Sequence, residues 1–175
     1  MKSLPQIVTF ALKAFFNLSI FGLLIALFFN IWVFVSHHYS WTDSVLKYYD
    51  GIDFTNIWKN DKLAFNILLL SAIVITILKI ILFRSALTLL NKINLNNPFN
   101  SDLTWLLKQI SILAFVIGFI SIFLKLYIEI AVSSDLLLST QMGESGFLWL
   151  AAIVYLVSLL YHKGLFLQSE NELTI

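Results

Sequence analysis

Four apolar runs, each close to the roughly twenty residues that a helix needs to cross a bilayer core, decide what this 175-residue chain can become. They occupy about 14–35, 63–83, 109–132 and 146–161, the last being the shortest. At 1.5 Å of rise per residue, about twenty residues traverse the ~30 Å of hydrocarbon in which only helices or closed barrels satisfy their own backbone. The expected fold is therefore an all-α integral membrane protein. It is one four-span domain over 1–175, arranged as two antiparallel hairpins. Composition agrees: 59% apolar residues, 12% charged residues and a mean hydropathy of +0.89 lie outside the range of soluble domains.

Orientation follows from the basic residues beside the spans. Lys2, Lys13, Lys79, Arg84, Lys92, Lys108 and Lys163 fall on one side or at its boundary, whereas Lys47, Lys59 and Lys62 fall on the other. The excess side is the cytoplasmic one, because acidic residues count little in this rule. It holds both termini, a loop at about 88–108 and a tail at about 163–175. The opening stretch MKSLPQIVTFALKAFF has the outline of a signal peptide. Its apolar run continues without a small-residue cleavage site, so it reads as a retained first span.

Several function classes receive no support. A net charge of +1 with no basic run argues against direct nucleic-acid binding. The absence of cysteine excludes disulfides, thiolate metal sites and thiol catalysis. His37 and His38 are adjacent, a spacing that regular structure does not turn toward one metal, so neither metal nor cofactor is expected. The GESGF segment lacks the strand-turn-helix context of a nucleophile elbow, and no phosphate loop is present. The chain does not read as an enzyme. The first external segment, with two Trp and three Tyr, reads as interfacial, with a short helix near 44–49.

Small residues mark packing faces. Ser111, Ala114, Gly118 and Ser121 share a stripe on the third span, and Lys125 and Glu129 continue it, so the stripe is expected to turn inward with its charges. A shift of 92 residues lays Ser19 on Ser111, Gly22 on Ala114 and Ala26 on Gly118, and a shift of 80 lays LLLSAIV on LWLAAIV. This is the pattern of a parallel duplication, although apolar helices share such residues by chance. Charges within a span are costly and commonly mark a pathway. Asn30, Asn66, Lys125 and Glu129 could form an outer polar cluster, which is the basis for a reading as a small oligomeric transporter or channel. The alternative is that Lys125 snorkels and, with Glu129, fixes the depth of its span.

The loop carries a helix-start signal. Pro98 stops what precedes it, Asn100 or Ser101 can cap, and Asp102 sits in the first turn. At the end of the fourth span, His162 and Lys163 suit a helix C-terminus, with Gly164 as the stop.

These two cytoplasmic segments also carry a resemblance. The loop has Asn97, Pro98 and Phe99, then Leu107, Lys108 and Ile110. The tail has Gly164, Leu167, Gln168, Glu170, Glu172, Leu173, Thr174 and Ile175. The chain resembles the bacterial membrane proteins catalogued as domain of unknown function 2975, whose loop reads N-P-F then L-[KR]-x-I and whose tail reads G-x-x-L-Q-x-[ED]-x-[DE]-L-T-[IV]. Glu172 stands where that family more often has Asp. The resemblance implies a multi-pass protein of the bacterial cytoplasmic membrane that holds or modulates a small cytosolic helix-turn-helix regulator, and it brings no catalytic residues. Asn97, Pro98, Phe99, Gln168, Glu170, Glu172, Leu173 and Thr174 are the expected partner-binding residues. The lipid bilayer is the other partner, and small-residue faces allow a homo-oligomer.

Overall fold

The computed structural model describes residues 4–38, 61–93, 100–131 and 146–173, and these are all-helical apart from short cap positions. The four helices are α1 (Leu4–His38), α2 (Lys62–Lys92), α3 (Ser101–Ala131) and α4 (Gly146–Leu173). Each is long and apolar enough to cross a membrane, as a multi-pass membrane protein requires. The expected outer helix near 44–49 lies outside the described residues.

The helix starts have local causes. The Asp61 carboxylate accepts from the Leu63 and Ala64 amides at 3.0 Å each, and its extended backbone is that of a helix cap. Asn100 does the same for α3. Its side-chain oxygen accepts from the Asp102 amide at 3.0 Å, and its carbonyl accepts from Leu103 and Thr104 at 3.1 and 3.2 Å. Pro5 falls in the first turn of α1, where a missing N–H breaks no helical bond. No proline interrupts α2, α3 or α4.

All four helices exceed the apolar runs within them. At 28 to 35 residues they measure about 42 to 52 Å, more than the ~30 Å of a bilayer core. The chain between α2 and α3 is correspondingly short, since 88–92 still belongs to α2 and 101–108 to α3. Gly164 does not stop α4, which runs on to Leu173, so His162 and Lys163 lie inside the helix and not at its end. One glycine costs a helix only about 1 kcal/mol, and the residues around it, Leu165, Leu167, Gln168 and Glu170 among them, are good helix formers.

Packing follows chain order: α1 lies against α2, α2 against α3, and α3 against α4. Ile75 and Leu82 of α2, Ile110, Ala114 and Ile117 of α3 and Ala151 of α4 form a buried core. Phe16 of α1 meets Phe83 of α2 with ring centroids 5.8 Å apart, and Asn30 meets Thr76 further along. The α3–α4 seam is close. A Cβ built on Gly118 would stand 2.7 Å from the Leu148 side chain and 3.1 Å from its backbone nitrogen. Seven residues earlier on α3, the Ser111 hydroxyl donates to the Ala151 carbonyl at 2.9 Å. Leu148 is only the third residue of α4, yet α3 continues from Gly118 to Ala131, about 20 Å further along its axis.

The surface is the reverse of a soluble protein's. Phe115, Phe119 and Phe123 form an exposed aromatic ladder on α3, with successive centroids 5.9 and 4.6 Å apart. Phe10, Phe15, Phe21, Phe28, Phe29 and Trp32 are exposed on α1. Apolar area of this extent fits lipid as its solvent. The hydroxyls conform as well. Ser19, Ser36, Thr76, Ser85, Thr88 and Ser121 each donate to the carbonyl four residues earlier in their own helix.

Candidate functional site

Two sets of residues were candidates, and the helices treat them differently. In the first set, the expected polar cluster, Asn30 is buried, and its side-chain amide donates to the Thr76 hydroxyl oxygen at 3.3 Å. Thr76 in turn donates to the Ala72 carbonyl at 2.7 Å, so the two side chains form a short relay between α1 and α2. Asn66, half-buried on α2, lies ten residues before Thr76, about 15 Å along the helix. The structure therefore joins Asn30 to Thr76, a partner that the apolar pattern of the second span does not announce.

Lys125 departs from the expectation that its stripe turns inward. Ser111, Ala114, Gly118 and Ser121 are buried, but Lys125 is exposed. The wheel position is the same; what differs is the neighbour. Lys125 lies about 10 Å beyond Gly118, where α4 no longer accompanies α3. Glu129 belongs to the last two turns of α3, and its side chain lies outside the described residues.

The duplication pattern also divides on exposure. Gly22, laid on Ala114, has nothing within 4 Å of a built Cβ, and Ala26, laid on Gly118, is exposed. The α1 face that is buried carries Asn30, Val33 and Ser36 instead.

In the second set, Asn97, Pro98, Phe99 and Thr174 lie outside the described residues, as do the side chains of Glu172 and Leu173. Gln168 is half-buried and Glu170 exposed, both within α4. Phe166 and Leu167, one turn earlier, are also exposed. Beside this set, Lys92 of α2 pairs with Asp102 of α3 at 2.8 Å. Both side chains are about half exposed, which limits the pair to a few tenths of a kcal/mol and makes it a positional link between the helices.

Sequence reading also missed the surroundings of Lys79. Its ammonium stands 5.4 Å from the centroid of the Phe147 ring, at the start of α4. A cation over an aromatic face is stabilised by about 0.5–2 kcal/mol, more as water is excluded. No local pattern points to it, because the partner is far away in the chain. Among the described residues, no three His, Asp or Glu side chains gather where they could hold a metal ion. Compared with family models, with curated proteins and with solved structures, the chain matches none of them.

Proposed function

We propose that this chain is a regulatory or anchoring protein of the bacterial cytoplasmic membrane, built as two antiparallel hairpins with both termini in the cytoplasm. It presents the segment around Asn97, Pro98 and Phe99 together with the polar end of α4 to a small cytosolic helix-turn-helix regulator. The resemblance of loop and tail to domain of unknown function 2975 supplies the class of partner. The excess of Lys and Arg supplies the orientation.

The observation that carries the reading is the order of contacts along α3 and α4. Leu148 meets Gly118, and Ala151 bonds to Ser111, so residue numbers rise on α4 as they fall on α3. Continued in that sense, α4 leads Gln168 and Glu170 toward the end of α3 that Asn100 caps. Because α4 is helical through its polar residues, it offers a preformed surface, which lowers the entropic cost of docking.

The test is co-purification of the full-length protein with a helix-turn-helix regulator encoded beside it. Phe99→Ala and a truncation before Gln168 are each expected to lose most of the bound regulator while remaining in the membrane. Undiminished retention by both variants would overturn the assignment of these residues.

A further inference from the structure

The acidic residues of this chain are unevenly placed. Neither 1–42 nor 62–101 contains a single Asp or Glu, yet these stretches carry Lys2, Lys13, Lys62, Lys79, Arg84 and Lys92. Lys92 finds its counter-charge on α3 in Asp102, and Lys79 lies over Phe147. Among the described residues, Lys13 and Arg84 have neither arrangement. They belong to α1 and α2, which the Phe16–Phe83 ring contact brings together. Lys13 is one turn before Phe16 and Arg84 is next to Phe83, so both cations fall within a helical turn of one aromatic contact. Lys13 is half-buried and Arg84 exposed, and each is long enough to reach outward from its helix.

A free cation beside apolar helices draws an anion from its surroundings. The adjoining surface selects which one. Ile81 and Ile77 stand three and seven residues before Arg84, on the same face of α2, and both are exposed. A ligand that meets this surface fully has a negative head for Lys13 and Arg84 and an apolar body to lie along the isoleucines. A free phosphate uses only the first part.

We propose that the Lys13–Arg84 stretch of the α1–α2 seam, beside the Phe16–Phe83 contact, seats the headgroup phosphate of an anionic phospholipid, with an acyl chain along Ile81 and Ile77. Basic pockets between membrane helices bind such lipids, and each Lys or Arg near the surface contributes about a fivefold gain in affinity. The guanidinium of Arg84 suits a phosphate bidentately, while Lys13 acts as a point charge.

The test uses the full-length protein purified in neutral detergent with equimolar phosphatidylglycerol and phosphatidylcholine, the retained lipid being counted by native mass spectrometry. The intact protein is expected to retain phosphatidylglycerol preferentially. Lys13→Gln and Arg84→Gln should each reduce that preference about fivefold and the double variant roughly thirtyfold. The charge-conserving pair Lys13→Arg with Arg84→Lys should restore it. Lys92→Gln, which removes a cation already paired within the chain, should leave it unchanged. Equal retention of the two lipids by the intact protein overturns the proposal. So does a double variant that retains phosphatidylglycerol as the intact protein does, or an equal loss on Lys92→Gln. None of these outcomes depends on whether a soluble regulator binds.

Discussion

Asn30 donates its side-chain amide to the Thr76 hydroxyl oxygen at 3.3 Å, and both residues are buried between α1 and α2. Hydrogen bonds between membrane helices average about 0.6 kcal/mol and reach about 1.7 kcal/mol. Thr76→Val keeps the shape of the side chain but leaves a buried amide without its acceptor, so it should weaken the α1–α2 association by about 1 kcal/mol. Asn30→Leu together with Thr76→Val should recover part of that loss, because no polar group is then stranded. A double-mutant cycle on reversible unfolding in mixed micelles measures the coupling. A coupling of zero would mean that the contact is geometric only.

Gly118 and Gly22 make opposite predictions for one substitution. Gly118→Ala places a methyl 2.7 Å from the Leu148 side chain and 3.1 Å from its backbone nitrogen, so the Leu148 side chain must shift and the α4 backbone give by a few tenths of an ångström. The cost should be about 1–3 kcal/mol of overpacking, partly offset by the better helix propensity of alanine. Leu148→Ala added to Gly118→Ala should relieve the clash only in part, since the backbone nitrogen remains. Gly22→Ala meets nothing within 4 Å and should be neutral or stabilising by up to about 1 kcal/mol. Midpoints of thermal unfolding in detergent separate the two.

Two serines on one stripe differ in what their hydroxyls reach. Ser111 bonds across to Ala151 on α4, while Ser121 bonds back to Ile117 in its own helix. Ser111→Ala should therefore weaken the α3–α4 seam by about 0.6 kcal/mol, and Ser121→Ala should change it by much less. Equal effects on unfolding free energy would show that the crossing bond carries no association energy.

Asn100→Ala should destabilise the start of α3 by about 1 kcal/mol, the usual worth of a helix cap. Lys92→Met should cost less than about 1 kcal/mol, and that cost should vanish at high salt, because the Lys92–Asp102 pair is half exposed. Hydrogen exchange of the Leu103 and Thr104 amides reports both changes locally.

The chain has no native cysteine, so single cysteines report topology without background. Asn97→Cys and Asn171→Cys should react with an impermeant maleimide from the same face of sealed vesicles, and Ser139→Cys from the opposite face. Reaction of Asn97→Cys and Asn171→Cys from different faces would rule out the two-hairpin arrangement.

The apolar runs made four long helices legible, since run length is read directly against bilayer thickness. The Asn-Ser-Asp start of α3 was legible too, because a cap is a local device and needs no knowledge of neighbours. The buried face of Ser111, Ala114 and Gly118 could be read from spacing alone. What was hidden depends on register between helices. Lys125 occupies the same wheel position as the buried stripe, but α4 starts too late to stand beside it, and it is exposed. Thr76 and Phe147 sit in runs whose residues look interchangeable, so nothing local distinguished the one that meets Asn30 or the one beneath Lys79. Gly164 misled for the opposite reason. A glycine read as a stop is a small local penalty, and the residues around it outweighed it.

The short contact of Gly118 with the third residue of α4 places a long helix and a late-starting one side by side in one bilayer. The two are of similar length, 31 and 28 residues, so what separates them is stagger: α3 runs about 20 Å past Gly118, whereas α4 begins two residues before Leu148. A stagger fixed by one close approach means that the depths of the two helices are not independent: whatever moves Leu148 relative to Gly118 slides one whole helix along the other.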